Sequence, residues 1–264
     1  IGAPIFNYSI AYDLNNQIPL LYESYPGSVV DVSQLQYIVQ KFKGYGYKDL
    51  GFVLDRGYFS KENLAYMDSC DYGFIIMVKG RASFVMNQIL SHKGKFETKR
   101  ACAITQYHTY GITIREKLYT DDTTDRYFHL YYKSARANAE RTQLENLLLR
   151  MAETMDKGKG RNIEFGKSYE HYYELTYHEK NGVRKFYGYK EREDVIEKEL
   201  ELCGYFAIVT SERMSAEDAL LLYKNRDSSE KLFCSDKSFL GNRSLRVYGN
   251  EALESKIFIE FIAL

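Results

Sequence analysis

Two groups of residues have the types and spacing to do chemistry. The first is Asp55, which ends the apolar run Leu50-Gly51-Phe52-Val53-Leu54 and precedes Arg56-Gly57. Open α/β sheets bind their ligands beyond the carboxyl ends of their strands, and this run reads as such a strand. A carboxylate there needs a partner, either a cation or a basic side chain. The same position equally suits an Asp that caps the following helix or makes a turn. The second group is Tyr223, Arg226, Glu230 and Lys237, at offsets of three, seven and fourteen residues. At ~100° per residue these fall within an arc of roughly 60° on one helix. Leu221 and Leu232 lie on the opposite side, placed to pack on a sheet. The stretch from Tyr223 to Arg246 carries a local surplus of three positive charges. Taken alone, this is a solvated helix face laced with i,i+4 ion pairs.

Other motifs fail on inspection. Gly160 through Ser168 imitates a phosphate loop, but its first glycine is one residue too far from Gly166-Lys167-Ser168 and no core strand precedes it. His92, His108, His129, His171 and His178 make neither H-E-x-x-H nor a zinc spacing, and there is no G-x-S-x-G elbow. Cys70, Cys102, Cys203 and Cys234 lie far apart without a C-x-x-C pair, and read as reduced, mostly buried thiols of a cytoplasmic protein.

The elements that must position these residues are legible along the chain. Its 264 residues are 45% hydrophobic and 27% charged with no net charge, the balance of a globular protein with room for a sizeable core. Collagen-like, disordered and disulfide-scaffold classes are excluded. Neutral charge still permits a nucleic-acid partner if the basic surface is local. No stretch reaches the ~18 consecutive apolar residues that span a bilayer, so no membrane partner is expected. The N-terminus lacks the pattern of a signal peptide. The chain starts at Ile1 and stops within an apolar pattern, so both ends read as cut.

Residues 5–12 and 18–25 alternate as a hairpin around Asp13-Leu14-Asn15-Asn16, and Leu35, Ile38, Val39 and Phe42 recur at helical spacing. The run at 50–54, a helix capped by Ser60, and the run at 74–78 read as a buried parallel βαβ unit. From 81 to 200 the texture is more polar and tyrosine-rich. Strands are expected at 111–119 and 127–133, with a long helix at 134–156 and a hairpin across Asn181-Gly182. The α/β texture returns with the strand at 204–210, and Ser215 with Asp218 starts a helix expected to run past Phe233. An α/β core made of residues 1–80 and 201–264 is thus interrupted by an insertion module at 81–200, mainly β with one long helix.

The spacing Y-x2-R-x3-E-x6-K, as Tyr223-Arg226-Glu230-Lys237, resembles the block that carries the catalytic Glu in bacterial insertion-sequence DDE transposases. The segment from Val53 to Ser60 is similar to that family's block around its second catalytic Asp. Tyr25-Pro26-Gly27-Ser28 resembles its P-G-N turn, and residues 257–264 its helix after the Glu block. The resemblance implies an RNase H-like fold, a mixed sheet flanked by helices, interrupted by a mainly β insertion. It further implies phosphoryl transfer by two Mg²⁺ or Mn²⁺ ions held by carboxylates. Asp55 and Glu230 would be the catalytic, metal-binding pair. Arg226 and Lys237 would hold transposon-end phosphates, and Tyr223 would pack on the same DNA backbone. The partners implied are double-stranded DNA, as transposon ends and target, and a second copy in a homodimer on DNA. The location implied is the bacterial cytoplasm, at the nucleoid.

This chain departs from the pattern in two ways. The family's first Asp lies on a strand that would precede Ile1, and Asp13, its one substitute here, sits in the hairpin turn. Asp227 stands where relatives often have Trp. The expectation is therefore a transposase core inactive as a fragment. The alternatives are a same-fold nuclease without strand transfer and an inert DNA-binding or structural remnant.

Overall fold

A computed structural model of the chain describes residues 6–26, 31–47, 50–78, 83–119, 122, 124–180, 182–226 and 249–263. It separates into two compact units. One comprises residues 1–79, 113–129 and 208–264, and the other residues 80–112 and 130–207.

The first unit opens with an antiparallel hairpin, β1 (Phe6–Asp13) and β2 (Ile18–Pro26). Its turn is fixed by Asp13, whose Oδ1 accepts from the backbone N–H groups of Asn15 (2.9 Å) and Asn16 (3.1 Å). Helix α1 (Asp31–Gly44) buries Leu35, Ile38, Val39 and Phe42, the stripe its spacing predicts. Leu21 of β2 joins Ile38 and Phe42 in one cluster, with Leu50 and Phe52 packed against it.

Next come β3 (Gly51–Leu54), α2 (Lys61–Ser69) and β4 (Gly73–Met77). Ser60 caps α2 by accepting from the Asn63 N–H at 3.1 Å, as expected. Strands β3 and β4 pair in parallel, with Phe52 opposite Phe74 and Leu54 opposite Ile76. This is the predicted βαβ unit.

The second unit contains α3 (Ser83–His92), the short β5 (Ala103–Ile104) and the long α4 (Ser134–Gly158). Helix α5 (Lys167–Tyr172) follows, then the hairpin of β8 (Tyr173–Lys180) and β9 (Val183–Glu191), and α6 (Glu193–Leu202). Lys180 pairs with Val183 at the closed end of the expected hairpin, where Gly182 has φ 73°; Asn181 lies outside the described residues. Leu144, Leu148, Met151 and Met155 of α4 pack on Tyr172, Tyr173, Phe186 and Ile196. The loop after α4 is tied to the hairpin, because the Gly160 N–H donates to the Phe186 carbonyl at 2.8 Å.

Strands β6 (Thr109–Glu116), β7 (Arg126–Tyr132) and β10 (Tyr205–Thr210) complete a six-stranded mixed sheet of order β3-β4-β10-β7-β6-β5. Every residue of β10 is buried, and it runs antiparallel to β4 with Ile208 opposite Met77. Gly204, just before β10, has φ +87°, and a Cβ there would lie 2.6 Å from the Ala137 Cβ; no other residue fits. Helix α7 (Ala216–Lys224) follows β10, and α8 (Asn250–Ala263) ends the described chain. This mixed sheet flanked by helices is compatible with an RNase H-like core.

Candidate active site

Asp55 stands where strand β3 ends and the chain turns into α2. Its Oδ1 accepts from the Arg56 N–H at 2.7 Å, capping the single 3₁₀ turn Arg56–Tyr58. The Tyr58 carbonyl in turn accepts from the Asn63 side chain at 2.9 Å, and Asn63 is buried. The strand, the turn and the Ser60 cap together fix the aspartate, while its side chain stays 58% exposed. The carboxylate therefore does cap a turn, and it also has the charged partner its position demands.

That partner is Arg226. Its Nη1 lies 2.5 Å from Asp55 Oδ1, and the arginine side chain is only 21% exposed. The guanidinium carbon sits 5.0 Å from the centre of the Tyr223 ring, in cation–π geometry. Tyr223 itself is 4% exposed, so its ring is a floor beneath the arginine.

Two expectations are corrected here. The helix expected to run past Phe233 ends at Lys224, where the Asn225 N–H closes on the Leu221 carbonyl at 3.0 Å. Asn225 is a short polar residue whose side chain competes with helical hydrogen bonds. Arg226 therefore lies past the end of α7, where its N–H still closes on the Tyr223 carbonyl at 3.3 Å and keeps it on the Tyr223 side. The packing face is also reversed. Ala216, Ala219, Leu220 and Tyr223 are buried, whereas Leu221 is 40% exposed. The buried set repeats at three, four and seven residues, a full apolar stripe that the pair Leu221 and Leu232 does not make. Glu230, Lys237, Leu232 and Cys234 lie outside the described residues.

A second polar system lies in the same unit. His129 is fully buried, with Nδ1 2.9 Å from Thr113 Oγ1 and Nε2 3.0 Å from Thr210 Oγ1. Thr210 donates its hydroxyl to the Glu212 carbonyl at 2.6 Å, so it accepts from His129. The proton therefore sits on Nε2, and Nδ1 accepts from Thr113. Burial lowers the imidazole pKa to about 4, which keeps the ring neutral. Nearby, Arg126 pairs with Asp68 and lies over the Phe74 ring.

Asp13 holds its own turn with both carboxylate oxygens, and these hydrogen bonds from Asn16 and Asn15 lower its pKa. Cys70, Cys102 and Cys203 are free thiols, partly exposed where the sequence suggested burial.

Asp55 suits a divalent cation as a single ligand, since its carboxylate is a hard oxygen donor on an exposed strand end. Among the described residues no group of three His, Cys, Asp or Glu could hold a metal, and Arg226 already sits against one Asp55 oxygen. The sequence assigned Arg226 to phosphate and did not join it to Asp55. The available signal was the need of a strand-end carboxylate for a cationic partner. Among the described residues no helix is long and apolar enough to cross a membrane.

Comparison with known families gives a match over nearly the whole chain: the family described as the transposase DDE domain covers residues 4–264. Neither a curated protein nor a solved structure matches the chain.

Proposed function

The chain belongs to the transposase DDE-domain family, and from that premise we propose that it cleaves DNA at the ends of an insertion sequence and joins those ends to a target. Transposases act on DNA, and DDE transposases as a family use divalent metal ions. The observation that supports this particular site is the exposed Asp55 carboxylate at the end of a parallel strand, with Arg226 beside it.

In this reading Asp55 and Glu230 are the metal-binding carboxylates, and their hard oxygens select Mg²⁺ or Mn²⁺. Bound there, such ions would activate a water or a DNA 3′-hydroxyl for attack and stabilise the departing oxygen. Arg226 and Lys237 hold phosphates of the transposon end, where a guanidinium offers two parallel hydrogen bonds and an ammonium a point charge. Tyr223 serves the same contact from below by fixing Arg226. Residues 81–200 form a module inserted into the catalytic core. The working form on DNA is a homodimer in the cytoplasm, at the nucleoid.

Binding to a short duplex at two salt concentrations tests the assignment. Arg226→Ala and Lys237→Ala should each weaken binding for all sequences and reduce the salt slope by about one unit. Glu230→Ala should leave binding intact or tighter, because it removes a negative charge beside the phosphates, and should abolish any metal-dependent step. Unchanged affinity in both basic variants would point to an inert remnant.

A further inference from the structure

We propose that Arg226 is a resident counter-ion that locks Asp55 against metal until a DNA phosphate draws the arginine away. This inference rests on the reading of Asp55 as a metal ligand. The Asp55 Oδ1 atom already accepts from the Arg56 N–H and faces Arg226 Nη1 at 2.5 Å. A divalent cation at that oxygen meets a guanidinium in its own ligand shell. One of the two cations must move.

Asp55 is fixed by the end of β3 and by the turn it caps. Arg226 lies past the end of α7, tethered through the buried Tyr223 ring and through its own N–H, which donates to the Tyr223 carbonyl at 3.3 Å. A guanidinium fork fits phosphate as well as it fits carboxylate. Moving Arg226 from Asp55 to a DNA phosphate exchanges one anion for another and leaves the arginine charge neutralised throughout. Asp55 is then an unpaired carboxylate, open on its exposed side to a cation.

Metal and DNA binding are therefore coupled through one side chain. Each ligand raises the affinity of the other by the same factor, because linkage between two binding equilibria is reciprocal. Without DNA the site disfavours metal; with DNA it loads. The lock thus restricts metal-loaded protein to the DNA-bound state.

Mn²⁺ binding to the chain, followed by electron paramagnetic resonance, tests this without any cleavage assay. Arg226→Gln should tighten Mn²⁺ binding about five-fold or more in the absence of DNA. Arg56→Gln removes the same charge one residue from Asp55 but breaks no Asp55 ion pair, so it should change the affinity less than about two-fold. A short mixed-sequence duplex should tighten Mn²⁺ binding to the unmutated chain and do so less in the Arg226→Gln background. Asp55→Asn should remove this Mn²⁺ site in both backgrounds. In the unmutated chain, Mg²⁺ should shift the Arg226 guanidinium resonance in arginine side-chain NMR, with Arg226→Lys supplying the assignment. If Mn²⁺ binding depends on Asp55 but is indifferent to Arg226→Gln, or responds equally to Arg56→Gln, the lock is wrong while the site stands. If Asp55→Asn leaves Mn²⁺ binding unchanged, the site reading falls and takes the lock with it.

Discussion

Arg126 and Arg226 each close on an aspartate within the same unit, Arg126 on Asp68 and Arg226 on Asp55. Each guanidinium also lies over an aromatic ring, that of Phe74 for Arg126 and that of Tyr223 for Arg226. The chemistry is the same, but the surroundings differ. Arg126 is 7% exposed and its aspartate 37%, whereas Arg226 is 21% exposed and Asp55 58%. Arg126 joins the start of β7 to the last turn of α2, two regular elements. Arg226 joins the residue after a strand to the residue beyond a helix end. An ion pair shielded from water and spanning two regular elements stabilises the fold. The Asp55–Arg226 pair instead lies between two element ends, with its carboxylate mostly open to water.

The largest effect expected on the fixed side of this comparison comes from acid. His129 lies on β7 beside Arg126 in sequence, and burial holds its pKa at about 4. Unfolding returns it to the ordinary value near 6.5, so the unfolded chain binds the proton more tightly. The stability this ring confers is present in full above about pH 6.5 and lost as pH falls towards 4, by about 3 kcal/mol in all. Urea midpoints measured across that range should follow the loss, and His129→Gln should flatten it. An acid limb unchanged in the variant would remove His129 from the fixed side.

Next in size is Arg126→Ala, expected to lower stability by about 2–3 kcal/mol, since it strips a partly buried carboxylate of its partner and uncovers Phe74. Arg226→Ala should cost less, about 1 kcal/mol in the same denaturation experiment, since the carboxylate it leaves stays mostly in water. The ratio of these two losses sharpens the contrast, and equal losses would break it.

The reach of sequence reasoning followed the range of the interactions involved. Ser60 and Ser215 were legible as caps because a cap is a contact within one turn, and both accept the expected N–H groups. The hairpin of β8 and β9 was legible because Asn-Gly is a local turn signal, and Lys180 pairs with Val183 around it. Asp55 could be placed at a strand end because an unbroken apolar run followed by Asp-Arg-Gly is itself a local pattern. The Asp55–Arg226 pair was not legible, since nothing local to either residue specifies the other. The chain Thr113–His129–Thr210 joins three strands and was hidden for the same reason. Leu221 was assigned to the wrong face because a pair of leucines was weighed without Ala216 and Ala219, whose small side chains let the helix approach its neighbours.

The sheet order carries one more consequence, for the order of events during synthesis. Strand β4 takes β3 as a neighbour within its own βαβ unit, but its other neighbour, β10, arrives only after the whole of residues 78–204 has been made. At ribosomal speeds that is a delay on the order of 10 s. For that time the apolar edge Phe74-Ile75-Ile76 has no strand beside it, which is the exposure that seeds edge-to-edge association. Arg226 emerges later still. The nascent chain thus carries Asp55 well before it carries the arginine that neutralises it.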